Sequence, residues 1–231
     1  MKQYQFFKLY TFAFVAILFA ACSESGTSAE ASRNTFDATV VCPSEGFNRY
    51  NEPNRGTFTD IRDGQVYKYT TIGTQVWMAE NLRYGEEIPC AEESCSVKGR
   101  IYMFSDTKEA CPAGWHLPSL EEWQQLFSNM GGVEIAGQRL KSASGWLPLN
   151  AGQSANGSDD CGFEILPIPG TGIGRTNGTK KRDGYVALIW TSTVLQDDFE
   201  MLGVAFQSQT TDVKSMHYFN GSFLSVRCLK D

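Results

Sequence analysis

The sequence predicts an α+β domain built on antiparallel sheet. Short runs with the apolar and polar pattern of strands follow one another along the chain, separated by loops rich in Gly and Asn. Strands joined by short loops pair antiparallel, because a parallel connection needs a crossover of a dozen or more residues. One strongly marked helix lies among these strands, which gives the α+β class.

The first predicted strands lie on either side of Gly73. Residues 65–72 (QVYKYTTI) and 74–78 (TQVWM) are rich in β-branched and aromatic side chains, and Gly73 suits a tight turn between them. Five further strands are predicted at residues 163–166, 185–192, 201–207, 216–219 and 223–228.

The predicted helix begins after Ser119. Ser119 and Glu122 have the spacing of a capping box, in which the Ser side chain accepts from the backbone of Glu122 and the Glu side chain reaches back. Gly131 and Gly132 supply the stop. One face of this helix is apolar and is expected to be buried, with Leu120, Trp123, Leu126, Phe127 and Met130 on it.

The N-terminus has the parts of an export signal. Lys2 and Lys8 precede an apolar run over residues 9–21, which ends in small residues before Cys22. A helix that spans a membrane needs about 20 apolar residues, and this run is shorter. Residues 1–21 are therefore interpreted as a signal peptide.

Residues 19–22 (FAAC) resemble the lipobox of bacterial lipoproteins, in which the cysteine sulfur receives diacylglycerol before cleavage. Cys22 is therefore predicted to carry a lipid anchor, and several acyl chains would hold the protein stably on a membrane. Phe19 stands where the lipobox usually has Leu, so ordinary cleavage, with Cys22 free or disulfide-bonded, is the alternative. Ser23 is compatible with sorting to the outer membrane.

Export makes the other cysteines oxidisable. Apart from Cys22 the chain has six cysteines, an even number, and no pair of them has the CxxC spacing. It has two histidines, so zinc sites explain these cysteines less well than disulfides do.

Charge and composition divide the chain and narrow its partners. The formal net charge is −6, which disfavours nucleic acid and anionic lipid headgroups and leaves membrane attachment to the lipid. Residues 22–56 are mostly polar and small, so they are predicted to be a flexible tether whose far end is pinned by Cys42. Residues 57–231 are predicted to form one compact domain.

A family resemblance covers nearly all of that domain. The motifs that carry it are DIRDGQVY (60–67), IGTQVWMAENL (72–82), GRIY (99–102), CPAGWHLPS (111–119), NGSDD (156–160) and SVRC (225–228). Through these motifs, in this order, the chain resembles the Fibrobacter succinogenes major paralogous domain. The resemblance implies the C-type-lectin-like fold of lectins and formylglycine-generating enzymes, in which the ends of the domain meet at a small twisted antiparallel sheet.

The resemblance also implies disulfide pairings. Cys111 would pair with Cys228, and Cys90 with Cys95. Cys161 stands where the family usually has another residue, and Cys42 precedes the domain, so these two are expected to pair with each other.

Candidate ligand-binding residues lie in the second half of the chain. Asp159 and Asp160, in a Gly- and Asn-containing loop, could hold calcium, although such acids are more often turn-capping or solvated groups. Trp146 is the tryptophan whose burial the pattern does not predict, so it is the candidate for stacking on a sugar. Convergence of Trp146, Asp159, Asp160 and Arg175 on one exposed cleft would define a binding site.

The sequence does not favour catalysis. His116 and His217 are the two imidazoles, and neither stands in a local triad or nucleophile-elbow motif. The cysteines are better explained as disulfides than as the reactive thiols of formylglycine-generating enzymes. No cofactor other than calcium is indicated.

The functional expectation is a lipid-anchored envelope or cell-surface protein whose lectin-like domain binds a ligand, such as a polysaccharide. The alternatives are an envelope structural or protein-interaction module without sugar binding and, less favoured, an enzyme of the formylglycine-generating type. Fold alone does not distinguish them.

Overall fold

The computed structural model describes residues 36–91, 95–168, 184–195 and 200–231. Its helices are α1 (Ala38–Val41), α2 (Cys95–Lys98), α3 (Leu120–Asn129) and α4 (Val133–Leu140), with a 3₁₀ helix at Phe104–Glu109. Its strands are β1 (Arg55–Thr59), β2 (Val66–Ile72), β3 (Gln75–Met78), β4 (Ile101–Met103), β5 (Trp115–His116), β6 (Val186–Val194), β7 (Glu200–Gln207), β8 (Val213–Phe219), β9 (Phe223–Ser225) and β10 (Leu229–Lys230). The α+β class predicted from the sequence is confirmed.

The first sheet brings the two ends of the folded unit together. Its strand order is β1-β2-β3-β10-β5, so the last strand lies between β3 and β5. Leu229 of β10 pairs antiparallel with Trp77 on one side and with His116 on the other. The Lys230 ammonium also pairs with the Glu52 carboxylate. This ion pair joins the last strand to the segment before β1.

The second sheet has the order β4-β9-β6-β7-β8. Its long strands β6, β7 and β8 are antiparallel neighbours, as the short loops predicted. One pairing between strands of this sheet is parallel, that of Ile189 in β6 with Ser225 in β9.

Helix α3 follows its sequence pattern closely. Both bonds of the capping box are present, with the Ser119 side chain accepting from the Glu122 backbone and the Glu122 side chain accepting from the Ser119 backbone. Trp123 of its buried face packs 4.7 Å, centroid to centroid, from Trp77 of the first sheet. The glycines that end the helix lead directly into α4, which the sequence analysis did not predict.

The three disulfides of the structure join the pairs that the resemblance implied. They are Cys42–Cys161, Cys90–Cys95 and Cys111–Cys228. Cys42 is buried in the core, and Phe36, Ala38 and Val41 pack against the same core cluster. The backbone of the N-terminal segment also bonds to the first sheet, where the Val41 carbonyl accepts from Gly73.

These contacts correct the predicted domain boundary. The structure places residues 36–56 on the domain, and the compact unit runs from Asn34 to Asp231. The polar composition of this segment suggested a tether, but Phe36, Ala38 and Val41 are partly buried against the core and Cys42 is covalently held. The predicted tether therefore reaches at most to about residue 35, and the preceding residues, with Cys22, lie outside the described part of the chain.

Two of the strands predicted from the sequence, at residues 163–166 and 223–228, differ in the structure. In residues 163–166 pairing is limited to a single bridge, between Ile165 and Lys141, because Glu164 has a left-handed φ of 55° that interrupts an extended chain. Of residues 223–228 only the first three form a strand, β9 of the second sheet, and β10 of the first sheet begins after them, at Leu229.

None of the helices in the described ranges is both long and apolar enough to cross a membrane.

Candidate functional site

Trp146 is not available for stacking on a ligand, which corrects its prediction as a sugar-binding residue. Its side chain is 3% exposed and belongs to the core. The indole N–H donates to the Ile165 carbonyl at 3.0 Å and to the Ser142 hydroxyl at 3.2 Å. Trp146 therefore fixes the path of the chain after α4, with both ring faces covered.

Asp159 and Asp160 are occupied by partners in the protein. An Asp159 carboxylate oxygen accepts from the Glu164 backbone at 2.8 Å, and burial raises the pKa of this carboxyl. Asp160 lies 3.7 Å from the Arg139 guanidinium. Within the described residues no three His, Cys, Asp or Glu side chains form a group that could hold a metal ion. Asp159 thus has the turn-capping role that was the alternative to calcium binding, and Asp160 forms an ion pair with Arg139.

The predicted convergence of four residues on one cleft is not found. Arg175 lies outside the described residues, and Trp146, Asp159 and Asp160 line none of the three cavities discussed next.

The histidine cleft, of about 360 Å³, lies where α3 meets the first sheet. Strand β5 presents His116, and β10 ends beside it. Its lining is strongly charged and consists of Arg49, Thr74, Gln75, His116, Glu121, Glu122, Gln125, Leu229, Lys230 and Asp231.

His116 holds two carboxylates in this cleft. Its Nδ1 lies 2.7 Å from Asp231 Oδ1, and its Nε2 lies 3.0 Å from Glu122 Oε1. Carboxylates accept hydrogen bonds, so both contacts are satisfied together when both ring nitrogens carry hydrogens. The ring joins the start of α3 to the end of the first sheet, and both of its nitrogens are engaged by carboxylates. The structural histidine that the sequence favoured fits this geometry.

The amide cleft, also of about 360 Å³, lies between the loop after Trp146 and the turn after β7. Gly145 and Gly152 have φ of 91° and 84°, a left-handed conformation that glycine adopts without strain, and they shape the loop. Asn156 anchors its far end by accepting from the Trp146 backbone at 3.0 Å. The lining is uncharged and consists of Pro148, Leu149, Asn150, Gln153, Ser154, Ala155, Ser208 and Gln209.

Lys141 lies directly behind this cleft. Its side chain is 1% exposed, and its ammonium donates to the carbonyls of Ala155, Gln207 and Thr210, each at 3.1 Å, and of Ser208 at 3.5 Å. Ala155 and Ser208 also line the cleft. Lys141 therefore holds both walls of the amide cleft in place.

The charge of Lys141 is not balanced by a carboxylate in the described residues. The ammonium is 5.0 Å from the centre of the Trp146 ring, a weaker, cation–π contact. Burial lowers the pKa of Lys141 to about 8, because the charged form is less well solvated than in water. Sequence reasoning missed this residue, since a lysine after an apolar residue at a helix end looks like any exposed one.

A third cavity, of about 180 Å³, borders Arg227. This buried guanidinium donates to the Asn81 side chain and to the carbonyls of Phe163 and Glu164. Burial lowers its pKa to about 10. Because its donors are directed to two other segments of the protein, at Asn81 and at Phe163 and Glu164, Arg227 is best explained as a core staple.

The fold and its clefts define a class, a small disulfide-stapled α+β domain with ligand-sized clefts between its loops. Comparison with protein families assigns the chain more narrowly. The model of the Fibrobacter succinogenes major domain matches residues 70–230, so the chain belongs to this family. No curated protein and no solved structure matches the chain. The relation to C-type lectins therefore stays a prediction.

Proposed function

We propose that this protein is a lipid-anchored envelope protein that binds a saccharide in the amide cleft and catalyses no reaction. The observation that carries the proposal is the lining of the cleft, where uncharged amide and hydroxyl side chains lie beside three apolar residues, Pro148, Leu149 and Ala155. Its volume of about 360 Å³ falls in the usual range for ligand sites.

The chemistry of the lining suits a hydroxyl-rich ligand. Asn150, Gln153 and Gln209 each offer an amide that donates through nitrogen and accepts through oxygen, as a sugar hydroxyl does. Pro148 and Leu149 provide apolar surface for the C–H faces of a sugar ring, and Leu149 is 59% exposed. Amides arranged in this way match alternating donors and acceptors better than they match an apolar ligand.

The same lining argues against catalysis. General acid–base chemistry needs a titratable group within hydrogen-bond reach of the reacting atoms, and the residues described in this lining include no His, Asp, Glu or Cys. The histidine cleft has titratable groups, but the His116 ring is engaged on both nitrogens. A binding function requires neither a titratable group in the amide cleft nor a free nitrogen on His116.

Saccharide binding is tested by affinity electrophoresis and glycan arrays on the purified domain. We expect binding to at least one polysaccharide, and a loss of at least tenfold in affinity in the double variant Asn150→Ala/Gln153→Ala. A midpoint of thermal unfolding equal to that of the wild-type protein would show that this variant is folded. Absence of binding to every saccharide, together with a protein partner recovered by crosslinking, would overturn the proposal in favour of a protein-interaction module.

The anchor is tested separately, by labelling with an alkyne fatty acid in a bacterial host. We expect the label on the wild-type chain and its absence from Cys22→Ala, which should leave the membrane fraction. Ser23→Ala is the matched control and should keep the label. An unlabelled wild-type protein, cleaved before Cys22, would show that the segment is an ordinary export signal.

A further inference from the structure

We propose that the amide cleft selects saccharides that carry a carboxylate, that is, uronate residues. This inference rests on the proposed saccharide binding and adds the charge of the ligand. It is carried by the position of the Lys141 ammonium behind a cleft whose described lining is uncharged.

The first step concerns the positive charge of Lys141, which the surrounding carbonyls do not cancel. Four main-chain carbonyls solvate the ammonium, but each is a dipole without net charge. Carbonyl contacts therefore lower the local cost of burial while the positive charge still acts on its surroundings. In the described part of the chain no carboxylate pairs with Lys141, so a bound anion could supply the missing counter-charge.

The second step concerns the direction of the peptides in the cleft wall. The Ser208 carbonyl points to Lys141. Because no peptide bond in the described chain is cis, the N–H of Gln209 in the same planar unit points away from the ammonium. The Ala155 carbonyl is oriented likewise, which directs the N–H of Asn156 away from Lys141. The two peptides therefore present their positive ends on the side away from the lysine.

The third step concerns like charges. The chain carries 26 acidic residues and a net charge of −6, so an anion approaching most of its surface meets repulsion. The described residues that line the amide cleft include no acid, whereas three line the histidine cleft. A carboxylated sugar thus meets no carboxylate in the described lining of the amide cleft and is attracted by the ammonium behind it.

The experiment compares acidic oligosaccharides with their neutral methyl esters. Oligomers of galacturonate, glucuronate and mannuronate, each free and fully esterified, are titrated into the full domain by calorimetry. The free acid and its methyl ester have the same sugar rings and differ in charge. If both bind in the same way, their other contacts with the protein are similar. We expect at least one free acid to bind about tenfold more tightly than its ester at low salt, with the difference shrinking at 0.5 M salt.

A matched pair of variants locates the preference. Gln209→Glu adds a carboxylate to the amide cleft, and we expect it to remove the preference for the free acid. Gln125→Glu makes the same substitution in the histidine cleft and changes the net charge equally, so it should leave the preference intact. Lys141→Met should also abolish the preference, and is interpreted only if circular dichroism shows the wild-type fold.

The outcomes separate the two proposals. If no acid and no ester binds, and no neutral glycan does, the proposed saccharide binding fails. If esters bind as tightly as acids, saccharide binding stands and the selection of uronates is wrong. If Gln125→Glu and Gln209→Glu weaken acid binding equally, the preference comes from net charge, and the role given to Lys141 and the amide cleft is wrong.

Discussion

Two clefts of the same volume, about 360 Å³ each, treat charge in opposite ways. In the histidine cleft the charges stand on the lining and pair with one another, as His116 does with Glu122 and Asp231. In the amide cleft the described lining is uncharged, and one cation, Lys141, is buried behind it among carbonyls. Paired charges join elements of the fold, whereas an unpaired buried charge leaves a field that a ligand can use.

The largest effect on this comparison is expected from Lys141→Met, which keeps an unbranched side chain one atom shorter and removes the donor. We expect the free energy of unfolding to fall by about 3 kcal/mol, because buried carbonyls lose a charged partner. Urea denaturation measures the change. Lys214→Met is the control, since the Lys214 side chain is 52% exposed and its loss should cost less than about 0.5 kcal/mol. Equal effects of the two substitutions would show that the carbonyl contacts contribute little.

The pH dependence of stability is a second test of the burial of the Lys141 ammonium. The folded-state pKa of Lys141, about 8, lies below the unfolded value, so above pH 8 the unfolded chain holds a proton that the folded chain has released. Stability should therefore rise by about 2 kcal/mol between pH 7 and 9.5. Measurement stops there because burial also raises the pKa of Tyr67 to about 12, which makes stability fall once unfolded tyrosines ionise near pH 10.

Lys141→Met is the control for this profile as well. The variant should lack the rise between pH 7 and 9.5, measured by urea denaturation at several pH values. A rise of equal size in the variant would assign the effect to other groups.

The smallest expected effect lies in the histidine cleft. His116→Gln removes an imidazole bonded on both sides and should lower stability by about 1 kcal/mol, because the partners are partly exposed and screened. His217→Gln is the matched control, with one carboxylate contact, to Glu200, and should change stability by less. Thermal unfolding ranks the two. Saccharide affinity should be unchanged in both variants, and a loss in His116→Gln would move the binding site to the histidine cleft.

The parts of the fold that sequence predicted correctly depend on neighbouring residues. The capping box of α3 joins Ser119 to Glu122, three positions away, so the pattern is complete in the sequence. Helix α4 was missed because its N-cap is a glycine without a side-chain cap and Gly137 lies inside it, where glycine disfavours a helix. Gly137 is required there by packing, since a Cβ would lie 2.6 Å from the Thr211 and Asp212 carbonyls.

The candidate site was hidden from the sequence for a related reason. The acceptors around Lys141 are the main-chain carbonyls of Ala155, Gln207, Ser208 and Thr210, and any residue type supplies a carbonyl. No side-chain pattern therefore marks them. Trp146 was misassigned because a tryptophan after Ser and Gly looks like a loop residue, whereas its indole N–H is satisfied within the core.

The Cys42–Cys161 bond has a mechanical consequence. Tension applied to the chain before Cys42 reaches this buried disulfide ahead of the segment that follows it, and the bond spans a sequence separation of 119 residues. The intervening segment, which includes all of β1 to β5 and both α3 and α4, is a closed covalent loop that pulling cannot lengthen. A force that pulls on the chain before Cys42 would thus reach the core through this disulfide without peeling strand β1 from the first sheet.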